Sequence, residues 1–156
     1  MSEILSPLEQ IDIERACERL VYAYSRALDT GDMSAAADFF AVNGSMSRPM
    51  APNQVIQGRE TIRASLLTRP KTLLTKHLAT NIIIDVESRD AARGISYLTM
   101  IATTPPQGGE PPFVSEGPIY FGQFVDRFVR ENNQWRFLER RGSIQMKFPG
   151  ALPGKS

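Results

Sequence analysis

The 156-residue sequence predicts an α+β fold in which a curved, mostly antiparallel sheet wraps a long N-terminal helix. Three observations predict it. Apolar residues between positions 13 and 28 recur at helical spacing. From residue 74 onward, strand-like runs dominate. Those runs are joined by turn signals with no helix between them, so the strands form a meander.

Each element has a local cause. Ser6-Pro7-Leu8-Glu9 opens the first helix: Ser6 caps, Pro7 suits the first helical position, and Glu9 completes a capping box. Ile13, Cys17, Leu20, Val21, Tyr24, Ala27 and Leu28 make its apolar stripe. Gly31 suits a left-handed cap at its end. A short helix follows from Ser34 to about Phe40, capped by Asp32 or Ser34. Asn43-Gly44, Pro49 and Pro52 punctuate residues 42–57, which are expected to hold an irregular strand and a loop. Gly58 precedes a third helix over 59–67, ended near Pro70. Four strands are expected over 74–86, 93–103, 119–130 and 134–146, with Asn132-Asn133 as a hairpin turn. Residues 104–118 hold five prolines and three glycines and are expected to form a loop that shapes a pocket mouth, meets another subunit, or merely connects strands. Residues 147–156 are expected to be a loose tail on a single domain spanning 1–156, with its core over 7–146.

Composition excludes several classes. Hydrophobic residues make up 42% and charged residues 22%, as in ordinary soluble domains, and the net charge of +1 suggests neither a nucleic-acid nor a membrane partner. The single cysteine, Cys17, leaves no internal disulfide and fits a reducing, cytoplasmic setting. Residues 1–30 show no signal-peptide pattern, and no apolar run approaches the ~20 residues that cross a bilayer. One His and one Cys argue against a zinc site built from protein ligands.

His77 is the chain's one side chain with an ordinary pKa near neutrality, and so the first candidate for a general base. Strand alternation groups Thr75, His77, Ala79, Asn81 and Ile83 on one mixed face, where Asn81 would line a pocket wall. Leu78, Ile82, Ile84 and Val86 make the more apolar face, expected to be core. Asp29 lies at the end of the first helix, where the macrodipole disfavours a carboxylate. It either caps the following turn or accepts a hydrogen bond from His77. Tyr24 lies on the apolar stripe, but positions five apart on a helix diverge by about 140°, so it shares no face with Asp29. Arg140 and Arg141 must point to opposite sides of the last strand. Alternation puts Trp135, Phe137, Glu139 and Arg141 on one side and Arg136, Leu138 and Arg140 on the other, and pattern alone does not choose between the arginines.

Residues 20–32, 58–62, 76–81, 122–126 and 135–137, in that order and at those separations, resemble SnoaL-like proteins of the NTF2-like superfamily. The resemblance runs from about residue 11 to 145. It implies a cone, also described as a cystatin-like α+β barrel, with a central pocket at its open end. Members of the superfamily include scytalone and bile-acid dehydratases, isomerases, cyclases, non-catalytic transport factors and small subunits of larger enzymes. The constellation is most similar to that of the dehydratases. It implies His77 as base, Asp29 as its orienting carboxylate, and Tyr24 and Arg140 as pocket donors, with Arg141 the weaker choice of arginine. It further implies no cofactor, no metal, a small hydrophobic cyclic or aromatic substrate, and a homo-oligomer, with a trimer favoured. Tyr97, Phe121 and Phe128 are candidates for the subunit surface or for the core. The alternatives are an isomerase or cyclase using the same base, and a non-catalytic binding module or small subunit. The catalytic readings require His77 at a pocket wall within reach of Asp29; the non-catalytic one predicts a filled cavity and no such contact.

Overall fold

A computed structural model describes residues 4–149. The chain runs α1 (Pro7–Thr30), α2 (Met33–Asp38), β1 (Phe40–Arg48), β2 (Ala51–Gln57), α3 (Arg59–Leu67), β3 (Leu74–Val86), β4 (Ala91–Thr103), β5 (Ile119–Glu131) and β6 (Gln134–Phe148). The capping box at Ser6 and Glu9 forms as the sequence predicts, and Gly31 closes α1 at φ 80°. Asp32 caps α2 through the Ala35 amide.

The strands form one six-stranded sheet in the order β2-β1-β6-β5-β4-β3. It is curved and unclosed, and α1 lies against its concave face with Ile13, Cys17, Leu20, Val21 and Tyr24 buried. The meander β3 to β6 is antiparallel throughout. Asn132 and Asn133 adopt φ 51° and 61°, the left-handed pair that a two-residue hairpin turn needs. The rings of Tyr24, Phe40, Phe128 and Phe137 meet at 5.3 to 5.8 Å in the middle of the core.

Residues 42–57 differ from the sequence expectation. They belong to two paired strands, β1 and β2, and β1 runs parallel to β6 in the interior of the sheet. Asn43-Gly44 does not break β1. It sits where the register against β6 shifts between Phe40 and Ser45, and a Cβ on Gly44 would lie 2.9 Å from the carbonyl oxygens of Ala41 and Phe137. Pro52 is tolerated because β2 is an edge strand, where a missing amide breaks no ladder. Lys147 and Phe148, expected in the tail, extend β6 opposite Tyr120 and Ile119. The rest of the expected tail, residues 150–156, lies outside the described residues.

Two bulges reset which side chains face the core. In β3 the register shifts between Thr80 and Ile83, with Asn81 at φ 50°. Thr75, His77 and Ala79 face inward before the bulge, and Ile82, Ile84 and Val86 pack on the core after it. The two faces inferred from uninterrupted alternation are therefore corrected. Leu78 and Ile83 are exposed on the convex side. In β6 the register against β5 shifts between Arg127 and Phe128, so Phe137 pairs with Phe128 while Arg140 pairs with Asp126. One extra residue at Leu138 thus puts Phe137 and Arg140 on the same concave face, where strict alternation separates them.

Candidate active site

The C-terminal turn of α1 packs against the start of β3, and this brings Asp29 to His77. The ring Nδ1 of His77 lies 2.5 Å from Asp29 Oδ1. The His77 amide donates to Oδ2 at 2.9 Å, and the Thr75 hydroxyl donates to Oδ1 at 2.9 Å. Asp29 therefore grips β3 rather than capping the turn after α1. Burial pushes its carboxyl up, but the bonds from the His77 ring, the His77 amide and Thr75 outweigh that and hold it below the usual carboxylate range. An ionised carboxylate can only accept, so Nδ1 carries a proton, and in the neutral ring Nε2 is then the nitrogen with the free lone pair. That is the tautomer a base needs. The unfavourable position at a negative helix end is offset by these donors.

The side chains of His77 and Asp29 are 8% and 13% exposed. The ring is thus nearly covered, where the sequence reading has it at a pocket wall. A cleft of about 420 Å³ opens beside the same strand ends, lined by Leu73, Ala102, Thr103, Thr104, Val114, Glu116 and Gly117. Ala102 is the cross-strand partner of Thr75, and Ser115 and Val114 tie the 104–118 loop back onto β4 through Ala102 and Thr103. A second cleft of about 210 Å³ is formed by Leu5, Glu9, Asp12, Ile13, Arg89, Arg130 and Trp135. His77 and Asp29 line neither.

Tyr24 is buried in the aromatic core, edge-on to Phe40 and Phe137 at 5.8 and 5.7 Å. Burial raises its phenol well above the ordinary value, against the charges of Arg140, Arg48 and Arg69, so the hydroxyl stays protonated. Arg140 faces the concave side. Its guanidinium lies 4.9 Å from the Tyr24 ring centre, 3.7 Å from Phe124 and 4.6 Å from Phe137. Its Nη1 donates to Asp126 Oδ2 at 2.5 Å, and both side chains are 1% exposed. Burial raises the Asp126 carboxyl to about 6, because taking the charge out of water outweighs the attraction of Arg140. Asp126 Oδ1, Arg140 Nε and Nη2, and Ser96 Oγ have no hydrogen-bond partner among the described residues. Arg141 points to the other side, bonded to Ser45 Oγ at 2.8 Å and 3.6 Å from Glu139. Asn81, expected on the pocket wall, is exposed at the bulge. Among the described residues, no group of three or more His, Cys, Asp and Glu side chains is placed to hold a metal ion.

Two residues escape sequence reasoning. Asp126 carries a legible signal: a carboxylate between Phe124 and Phe128 on an inward face needs a buried partner. Arg69 carries none, since it reaches the site from the loop after α3. It donates to Thr75 Oγ1, whose own proton goes to Asp29. Burial lowers its pKa, opposed by Asp29 and Tyr24, and Arg48 adds a like charge.

A crystal structure from Novosphingobium aromaticivorans, provisionally named a scytalone dehydratase, is similar at 26% identity and TM-score 0.77, covering 95% of this chain and 94% of its own. A hexachlorocyclohexane dehydrochlorinase (LinA type 2) is similar in fold at 16% identity and TM-score 0.77, covering 94% of each chain. So is a protein with a cystatin-like fold from Nostoc punctiforme, at 19% identity and TM-score 0.67, covering 93% of this chain and 96% of its own. No curated protein matches. Residues 9–141 match the SnoaL-like domain, and the chain, with its long first helix inside a curved six-stranded sheet, belongs to that family.

Proposed function

We propose that the protein is a cofactor-independent lyase of the dehydratase type, acting on a small hydrophobic cyclic or aromatic molecule. The observation that carries this reading is the Asp29–His77 contact at 2.5 Å. His77 Nε2 takes a proton from a carbon made acidic by a neighbouring carbonyl or phenol. The electron pair forms the new double bond, and a hydroxyl or other small group leaves. Asp29 balances the imidazolium. Tyr24, kept protonated by burial, donates to the developing charge or the departing group, and Arg140 fixes the Tyr24 ring from behind. General acid–base help of this kind contributes about 10²–10⁴-fold, and positioning in a dry site supplies much of the rest. The dehydratase name of one similar structure and the dehydrochlorinase name of another, both eliminations, support the reaction class.

An isomerase using the same base is the second reading, favoured by the same dyad. Incubating wild type and His77→Ala in D₂O with cyclic β-hydroxy ketones and, separately, with cyclic β,γ-unsaturated ketones distinguishes them. A dehydratase releases water and an enone; an isomerase shifts the double bond without mass loss. Both activities should vanish in His77→Ala. Turnover that survives in that variant excludes both readings. We further propose a homo-oligomer packed through the convex face, where Leu78, Ile83, Tyr97, Phe121 and Val125 are exposed on neighbouring strands.

A further inference from the structure

Proton removal from a carbon leaves two charges to answer. Asp29 answers the imidazolium. The oxygen that receives the electron pair needs a donor on the substrate's far side. Arg140 is poorly placed for that task. It is 1% exposed, bonded to Asp126 and stacked against three rings, so a ligand would have to open the aromatic core to reach it. Arg69 is placed differently. It stands on the loop between α3 and β3, is partly exposed, and meets the dyad through Thr75. The direction of that chain is fixed. Asp29 can only accept, so Thr75 gives its single proton to Oδ1 and must accept from Arg69. Thr75 is the one hydrogen-bond partner of the Arg69 side chain among the described residues, and a guanidinium has five N–H groups.

The spacing suits the chemistry. Thr75 and His77 are two residues apart on one strand face, about 7 Å along β3. A C–C=O unit with a base at the carbon and a donor at the oxygen, each at about 3 Å, spans a similar length. A cleft bounded by Leu73 and Ala102 lies near the same strand end, Ala102 being the cross-strand partner of Thr75, although Arg69, Thr75 and His77 do not line it.

We infer that Arg69 is the substrate-facing cation of this site: it holds an anionic or enolate-forming oxygen of the substrate beside the Asp29–His77 dyad. This rests on His77 being the base. It narrows the substrate to molecules carrying a carboxylate, phenolate or carbonyl oxygen about one C–C=O unit from the acidic carbon. As the proton moves from carbon to Nε2, the electron pair moves onto that oxygen, where the Arg69 cation stabilises it; it then returns to form the new double bond as the leaving group departs.

The test uses benzoate as probe, with neutral benzamide beside it. Wild type should bind benzoate the more tightly, with the Thr75 and His77 amide NMR signals shifting on titration. Arg69→Met should lose that preference, on the order of tenfold or more in affinity. Arg69→Lys should keep part of it, which excludes misfolding as the cause, and Arg141→Met should leave it unchanged. The inference is overturned if wild type does not bind benzoate, if the shifts appear elsewhere, or if Arg69→Met binds as wild type does. His77→Ala should still bind benzoate. Turnover retained in His77→Ala together with benzoate lost in Arg69→Met would remove the base and keep the anion site; the opposite pair of results would do the reverse.

Discussion

Asp29 serves two ends of one pair of oxygens, and its energetics follow from that. Its carboxyl is held below the ordinary range by the His77 and Thr75 donors, which outweigh burial. The native state therefore binds this proton less readily than the unfolded chain, and ionised Asp29 contributes stability above about pH 4. That contribution should fade as pH falls through the lowered native value. Asp29→Asn should be less stable than wild type at pH 7, and the gap should narrow as pH falls through the lowered native value, as read by urea denaturation. Its turnover should fall by about 10²–10⁴-fold. Asp126 has the opposite sign. Its native carboxyl, raised to about 6 by burial against Arg140, takes up a proton before the unfolded chain does. Its contribution should improve as pH falls from about 6 to 4 and cost stability above. Arg140→Met leaves that carboxylate buried without its partner, a loss of about 3–5 kcal/mol. The loss should be clearly smaller at pH 5 than at pH 8 by the same measurement, because a protonated Asp126 needs no counter-charge.

At the scale of elements, the helices were readable because their signals are local. Ser6, Glu9 and Gly31 announce α1 through capping chemistry that depends on neighbours a few residues away. The four late strands were readable from alternation and from the Asn132-Asn133 turn. The bulges were not, because a bulge is a relation between two strands and leaves little trace in one. That is why alternation alone puts Arg140 and Phe137 on opposite faces. The parallel pairing of β1 with β6 was hidden for the same reason, with Asn43-Gly44 resembling a break. Of the candidate site, Asp29, His77 and Tyr24 stood out by type and position, whereas Arg69 gave no signal, since only the tertiary fold carries it to Thr75. The Asn81 bulge can be tested directly. A β-branched residue at φ 50° is strained by about 1–2 kcal/mol. Asn81→Val should lower the melting temperature, while Asn81→Gly should keep it near wild type.

At the scale of the molecule, the convex face is the feature that an isolated cone does not explain. Ile83, Ile95 and Val125 are cross-strand neighbours, as are Leu78, Thr99 and Phe121, and their apolar members are exposed together with Tyr97. Phe128, the third aromatic candidate for this surface, is instead core. A contiguous apolar face of this kind marks an interaction surface. Tyr97→Glu with Val125→Glu should shift the protein to a smaller species in light scattering, with its circular dichroism spectrum unchanged. An unchanged mass would overturn the proposed oligomer through this face.

One feature of β3 reaches beyond catalysis. This strand is the rim of the sheet, and the main-chain N–H of His77 is spent on Asp29 Oδ2 instead of on a neighbouring strand. The end of α1 thus occupies the place where a foreign peptide would add itself. Asp29→Ala would uncover that amide, and open rims template strand-by-strand growth. The variant should turn cloudy sooner than wild type when held at high concentration well below its unfolding temperature, while Asp29→Asn, which keeps an acceptor there, should stay clear. The carboxylate assigned to orient a base would then also guard the solubility of the fold that carries it.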